Sequence, residues 1–363
     1  MRPLIGITMG DPAGIGSELC VKLLSKRDIY RASRPLVIGD ARCVQDALRF
    51  TGKRSYKINT VQDPKKGKYV FGCLDVLDLQ NIDMKKLRYG KVSGMCGKAA
   101  GEYIRKAVDL ALSRKIDAIV TCPIHKRSFE LGGYGKKYPG HTEMLASLTK
   151  TKNYSMMLAN GNLRTVHVTT HVALRKAIDM IKKDRVFQAI KIAHQACVSM
   201  GIATPKIGVA GLNPHAGDGG LFGKEEIKEI IPAVKLARRA GYNVEGPIPA
   251  DTLYSKVKGG WYDIAVSMYH DQGHIPLKLS GFIWNEKESK WTSIAGVNVT
   301  LGLPIIRASV DHGTAFGKAG KGTANVESLK NAADYAVQFA KSKDAFRKQF
   351  DQKVYLRGKK KKR

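Results

Sequence analysis

The chain has 363 residues, 43% of them apolar and 26% charged, an ordinary globular composition with length for two domains or one large α/β unit. That excludes a mainly disordered chain and a collagen-like repeat. No run approaches the roughly 18 uninterrupted apolar residues of a membrane span. The start, Met1-Arg2-Pro3-Leu4-Ile5-Gly6, lacks an apolar signal-peptide core, so a soluble, cytoplasmic protein is expected.

Sixty-two Lys and Arg against 31 Asp and Glu leave a formal charge of +31, a field that favours anionic partners such as phosphorylated metabolites and dinucleotides. Six of the positive charges lie in the terminal run Arg357-Gly358-Lys359-Lys360-Lys361-Lys362-Arg363. No aromatics interleave with it and no nucleic-acid module is recognisable, so nucleic acid is not expected as a partner beyond a weak, salt-sensitive contact of the tail. The six cysteines are scattered, without metal or redox spacing, and read as reduced thiols.

In chain order, short apolar runs alternate with amphipathic stretches, which predicts βα units and a largely parallel sheet. Strands are expected at Leu4–Thr8, Leu36–Ile38, Ala118–Val120, Thr165–Val168, Lys206–Ala210, Ile264–Val266 and Pro304–Arg307. Helices are expected over Lys98–Leu112, with Ala100, Ile104, Val108 and Leu112 on one face, and over Val186–Met200, Lys224–Ala240 and Asn325–Lys341. Between Ile283 and Ile294, Trp284 and Trp291 flank a polar stretch that reads as a surface hairpin.

Ligands of open α/β sheets bind beyond the carboxyl ends of the strands. Four of the nine histidines, His171, His215, His270 and His312, follow strand candidates directly and are expected at one edge. Neutral imidazole suits zinc, cobalt or iron, and three histidines with an open position make a catalytic metal site. A structural role for each strand-end histidine is the competing reading, since these spacings form no local zinc signature. Met9-Gly10-Asp11-Pro12-Ala13-Gly14-Ile15-Gly16 is a glycine-rich turn into a helix, whose free N–H groups would suit an anion. Tyr138-Pro139-Gly140-His141-Thr142-Glu143 puts His141 and Thr142 at another helix start, as ligand-binding groups or simply as a cap. Lys278 and Arg307 could clamp a phosphate and a carboxylate, or form surface ion pairs.

Taken together, Gly10-Asp11-Pro12-Ala13-Gly14-Ile15-Gly16, Pro139-Gly140-His141-Thr142-Glu143, Thr169-Thr170-His171, Asn213-Pro214-His215-Ala216-Gly217, Tyr269-His270-Asp271-Gln272-Gly273 and Ser309-Val310-Asp311-His312-Gly313-Thr314-Ala315 resemble the 4-hydroxythreonine-4-phosphate dehydrogenase family of vitamin B6 biosynthesis and its relatives. The resemblance covers roughly residues 3 to 340. It implies a two-lobed α/β/α fold like that of isocitrate and isopropylmalate dehydrogenases, an active site in the cleft, and a homodimer whose subunits share metal ligands. On that basis residues 1–130 with 300–345 form the first lobe, 131–299 the second lobe with metal and dimer contacts, and 346–363 the basic tail.

By the same resemblance His171, His215 and His270 bind one divalent ion (zinc, magnesium, cobalt or manganese) and His141, Thr142, Lys278, Asn298 and Arg307 bind a small phosphorylated substrate. Asp311, His312, Gly313 and Thr314 form the adenine-side loop for NAD or NADP. Asp251 and Asp271 support the metal, and Asp271, His274 and Lys126 are candidates for the group that takes the substrate proton. The hairpin and His274 resemble a second branch, which oxidises D-threonate or D-erythronate 4-phosphate. Both substrate types are 3-hydroxy acids, expected to give a β-keto acid that loses carbon dioxide. A metal-dependent phosphatase is the distant alternative.

Overall fold

The structure, a computed structural model, describes residues 1–286, 290–294 and 296–342. The basic tail at 346–363 and part of the Trp-flanked connector lie outside the described residues. Two compact units divide the chain: Met1–Lys152 with Leu303–Lys341, and Asn153–Gly302.

The first unit opens with β1 (Leu4–Thr8), α1 (Gly16–Leu24), α2 (Arg27–Ala32), β2 (Arg34–Gly39), α3 (Ala41–Phe50), β3 (Lys57–Val61), β4 (Cys73–Asp78), α4 (Gly94–Leu112), β5 (Ala118–Thr121), α5 (Lys126–Leu131) and α6 (His141–Leu148). The second holds β6 (Ser155–Asn160), β7 (Leu163–His167), α7 (Leu174–Met180), α8 (Lys183–Ser199), β8 (Ile207–Ala210), α9 (Ile231–Arg239), β9 (Val244–Ile248), α10 (Ala250–Lys258), β10 (Ile264–Ser267), α11 (His270–Gly281), the hairpin β11 (Phe282–Asn285) and β12 (Lys290–Ile294), and β13 (Val297–Leu301). The chain returns to the first unit with β14 (Arg307–Val310) and α12 (Glu327–Lys341).

In the first unit the strands run β3-β4-β2-β1-β5-β14, every pair parallel. β1, β2, β4 and β5 are buried almost throughout, as strands covered by helices must be. In the second, the order is β13-β6-β7-β10-β8-β9. There β13, β6 and β7 pair antiparallel and β7, β10, β8 and β9 parallel. Each unit is thus α/β, with helices packed on its strands.

Differences from expectation have local causes. The unit boundary falls after Lys152 and not at 130, so α6 with His141 and Thr142 packs in the first unit. β14 begins at Arg307, beyond Pro304, which has no N–H for a ladder. α4 buries Ala100, Ile104 and Val108, whereas Leu112, at the helix end, is exposed. The stretch from Lys224 is no single α-helix: Glu226–Ile230 forms a wide π-turn that passes into α9. Pro232, in the first turn of α9, could not donate the bond a regular helix would ask of it. β3 reads as polar because it is an edge strand, and β6 and β13 are an antiparallel pair that a βα pattern does not announce.

Candidate functional site

Because β7, β10 and β8 are adjacent and parallel, the segments carrying His171, His270 and His215 leave the same edge of the second sheet. His312 follows β14, a strand of the first unit. The segment after β7 stays paired with the end of β10: Val168 N–H donates to the Ser267 carbonyl (2.8 Å), and Thr169 donates its N–H and hydroxyl to that of Met268. This brings the His171 ring to 5.4 Å from that of His270. One turn along α11, His274 stacks on His270 at 3.5 Å between ring centroids.

Two contacts orient these rings. The Asp271 carboxylate lies 2.6 Å from His270 Nδ1, the carboxylate–imidazole pairing that fixes a ligand histidine with Nε2 directed to a metal. His274 Nδ1 sits 2.8 Å from the His270 carbonyl. With Nδ1 donating there, Nε2 is the basic nitrogen of that ring.

His215 stands on a loop of unusual backbone. From His215 through Gly219 every φ is positive, between 41° and 84°. Each non-glycine residue in that region costs about 1–2 kcal/mol, and His215, Ala216 and Asp218 are all non-glycine. The loop is tied down by Glu226, a buried carboxylate on the π-turn. Its Oε1 accepts the N–H groups of Leu212 and Asn213 (both 2.7 Å), and its Oε2 accepts the Asn213 amide (2.8 Å). Gln272 bridges the His215 and His270 segments: its Oε1 accepts from Met268 N–H and its Nε2 donates to the Gly211 carbonyl, both at 2.7 Å. His171 and His215 are exposed and His270 half-exposed. Among the described residues no three His, Cys, Asp or Glu side chains come close enough to hold a metal ion. The chain therefore brings His171 and His270 together and leaves His215 apart.

Beneath the cluster lies a buried polar layer. Tyr254 and Thr165 both hydrogen-bond Ser267 Oγ. His167 ends β7 fully buried, its ring 4.8 Å from His274 and its Nε2 without a protein partner. Burial pushes its pKa down to about 3, with the neighbouring His274 adding to the effect. A Cβ on Gly273 would sit 2.5 Å from His167 Nε2 and 2.8 Å from Ser267 Oγ, so only glycine lets α11 settle on this layer.

The first unit holds the other group. α6 starts at His141 behind Gly140, with no side chain capping it, so His141 and Thr142 have no capping duty. His141 Nε2 is shut off from solvent without a partner, although the residue as a whole is half-exposed. Burial holds this imidazole well below its ordinary pKa, and Arg307 reinforces that. Arg307 is buried at the start of β14 and donates to Thr121 Oγ1 at 2.7 Å. Burial lowers its pKa to about 10, against the pull of Glu143. The reading of Arg307 as a surface ion pair is therefore excluded. Lys126 is exposed at the start of α5, in a cleft it shares with Arg127, Lys136 and Tyr138.

In the glycine-rich turn after β1 four N–H groups are already taken within the protein. Asp11 N–H donates to the Pro123 carbonyl, Ala13 to Asp11 Oδ1, Gly14 to the Asp11 carbonyl and Ile15 to the Thr314 carbonyl. The turn braces the Asp311–Thr314 segment. Thr314 is buried against it, while a Cβ at Gly313 would meet no atom within 4 Å, leaving room for a close ligand. Asp311 N–H donates to Ser328 Oγ, and His312 Nδ1 lies 3.0 Å from the Gly313 carbonyl.

Of the remaining candidates, Lys278 lies over the Phe282 ring at 4.4 Å, and Asn298 Nδ2 is 2.8 Å from Met156 Sδ. Asp251 is exposed in the first turn of α10. Sequence reasoning passed over Glu226, Gln272 and His167. The signal for Glu226 was present: two glutamates close a seven-residue stretch, Gly217–Gly223, that holds four glycines.

The profile of the family described as pyridoxal phosphate biosynthetic protein PdxA matches residues 31–336. The D-threonate 4-phosphate dehydrogenase of Cupriavidus necator is 48% identical over 339 residues, 93% of this chain and 97% of that protein. A crystal structure of a 4-hydroxythreonine-4-phosphate dehydrogenase from Burkholderia phymatum is 46% identical, with TM-score 0.81 over 93% of this chain and 98% of that one. Another of that description, from Klebsiella pneumoniae, is 40% identical, with TM-score 0.84 over 94% and 98%.

Proposed function

The chain belongs to the pyridoxal phosphate biosynthetic protein PdxA family of dehydrogenases, and from that membership we propose that it oxidises the C3 hydroxyl of a four-carbon 3-hydroxy acid 4-phosphate with NAD. D-threonate or D-erythronate 4-phosphate is the favoured substrate, in keeping with the likeness to the Cupriavidus necator enzyme and with His274 at the edge of the imidazole cluster. 4-Hydroxythreonine 4-phosphate is the second reading, favoured by the names of the two similar crystal structures.

The observation that carries the reading is the Asp271–His270 pair at 2.6 Å on the edge where His171 and His274 gather. An all-imidazole set with a carboxylate behind one ring suits a divalent ion of the zinc or cobalt kind. We assign its ligands to His171, His215 and His270, drawn from two copies of the chain. The exposed apolar side chains Ile275, Leu279, Ile283 and Trp284, on α11 and the hairpin beyond it, support such a homodimer. When bound, the ion supplies Lewis acidity that eases loss of a hydroxyl proton, and the nicotinamide supplies the hydride acceptor.

The protein's own groups do the rest. His274 Nε2 takes the C3 hydroxyl proton while its Nδ1 is held by the His270 carbonyl. Asp271 keeps His270 in its ligating tautomer and is a positioning residue. Arg307, a buried cation, receives one anionic end of the substrate and Lys278 the other. His141, kept neutral by burial, Thr142 and Asn298 hydrogen-bond the hydroxyls between them. Asp311 to Thr314 seat the adenine side of the cofactor against the open space at Gly313. The β-keto acid product then loses its carboxylate as carbon dioxide.

The test is reduction of NAD by metal-loaded protein with each of the three substrates in parallel. Preference for a sugar-acid phosphate is expected. Preference for 4-hydroxythreonine 4-phosphate would move the enzyme to the second reading. Release of phosphate with no reduced cofactor would overturn the dehydrogenase assignment for these substrates.

A further inference from the structure

We propose that Glu226 is a positioning residue that sets the divalent-cation affinity of the site by holding the left-handed loop of His215 in its ligating form. The inference rests on the assignment of His215 as a ligand. Four observations support it. The loop from His215 to Gly219 adopts positive φ at every residue, a conformation that three non-glycine residues would not keep unaided. The two residues at its root, Leu212 and Asn213, give their N–H groups to one oxygen, Glu226 Oε1, and the Asn213 amide divides its contacts between Glu226 Oε2 and Glu225 Oε2.

Glu226 is 1% exposed, so these bonds satisfy a carboxylate that water does not reach. The loop also closes tightly over it. A Cβ on Gly217 would come within 2.7 Å of Glu226 Oε2, so the carboxylate and the loop backbone fit only with glycine there.

The π-turn gives this arrangement its reach. Glu226 opens the wide turn Glu226–Ile230, and such turns recur at functional sites because they redirect a side chain that a regular helix would place elsewhere. A carboxylate is required, since Oε1 and Oε2 together accept three hydrogen bonds. An amide in its place would set its own N–H groups against one set of those donors. Gln272 then couples this loop to the His270 segment through the Gly211 carbonyl and Met268 N–H. A shift at the His215 root therefore reaches both ligand segments.

The experiment measures affinity for Co2+ alone, by calorimetry and the visible spectrum of the bound ion, for the full chain and the variants Glu226→Gln, Asn213→Ala and His215→Ala. Partners that orient a ligand from behind commonly govern affinity by roughly 10–100-fold. Glu226→Gln is expected to weaken Co2+ binding within that range while NAD binding is retained, because Asp311–Thr314 belong to the other unit. Asn213→Ala keeps the backbone donors and is expected to lose less, so it serves should Glu226→Gln not fold.

In metal-free protein the amide protons of Leu212 and Asn213 should exchange faster in Glu226→Gln, a change that activity assays do not read. Wild-type Co2+ affinity in Glu226→Gln or, failing its folding, unchanged affinity in Asn213→Ala, with His215→Ala impaired, would overturn this inference alone. Wild-type affinity in His215→Ala would overturn the ligand assignment beneath it, and this inference with it.

Discussion

Two glycine-rich loops follow parallel strands in this protein, residues 9–16 after β1 and residues 211–220 after β8, and they do opposite things. The first is buried at every position, and its Asp11, Ala13, Gly14 and Ile15 N–H groups bond within the first unit. A Cβ on its Gly16 would fall 1.8 Å from the Met9 carbonyl oxygen, which shows how tightly it closes. The second exposes His215 and Asp218 and leaves its anchoring to Glu226, a residue of another element. Glycine content is common to both. What separates them is where the N–H groups go, and whether the residue at the crest faces solvent.

The largest effect is expected at the edge that carries His171 and His270. His270→Ala should lower turnover by roughly 10³-fold, the scale of several kcal/mol of Lewis-acid stabilisation, with loss of bound divalent ion by elemental analysis. Turnover and metal content at the wild-type level would remove His270 from the ligand set. In the closed loop the expected effect is on folding. Gly16→Ala should cost about 3 kcal/mol or more in urea unfolding, since backbone must move to admit the methyl group. A change below 1 kcal/mol, on the scale of an ordinary surface substitution, would mean that the loop is looser than its hydrogen bonds indicate.

Smaller effects sharpen the contrast. Asp271→Asn should reduce metal affinity about 10–100-fold without displacing the His270 ring, with kcat falling more than KM rises at saturating metal. An unchanged affinity would reduce the 2.6 Å contact to a surface pair. The smallest effect concerns pH. Burial holds the folded-state pKa of His141 below its ordinary 6.5. Above pH 6.5 both folded and unfolded chains are neutral there, and nothing is lost. As pH falls below 6.5, the unfolded chain takes up a proton that the folded chain refuses. Stability should then drop by up to about 1.4 kcal/mol per pH unit until the folded pKa is reached. His141→Asn should show a shallower acid slope between pH 7 and 5, and an identical slope would contradict the burial argument.

Much of the first sheet was legible in sequence because β1, β2 and β5 are continuous apolar runs between amphipathic helices. β3 and the antiparallel pair β6 and β13 were not, since alternation on an edge strand and short antiparallel ladders resemble loops. At the site, the strand-end rule brought out His171, His215 and His270, whose strands are neighbours. His312 follows β14 of the first unit, and adjacency of strands is a property of topology and not of sequence order. Gln272 escaped because a side chain that serves a distant backbone carries no local pattern, and Glu226 had only the glycine-rich stretch before it as a sign. In the turn Gly10–Gly16 two of the N–H groups are taken by acceptors far away in the chain, Pro123 and Thr314, which the local sequence does not announce.

The most direct test of the proposed chemistry uses D-threonate 4-phosphate carrying deuterium at C3, with NAD and metal-loaded protein, and weighs the reduced cofactor by mass spectrometry. Hydride transfer from C3 predicts reduced cofactor that carries the deuterium, together with carbon dioxide in equal amount. Reduced cofactor without the label would contradict oxidation at C3, and phosphate release without reduced cofactor would contradict the dehydrogenase reading of this substrate.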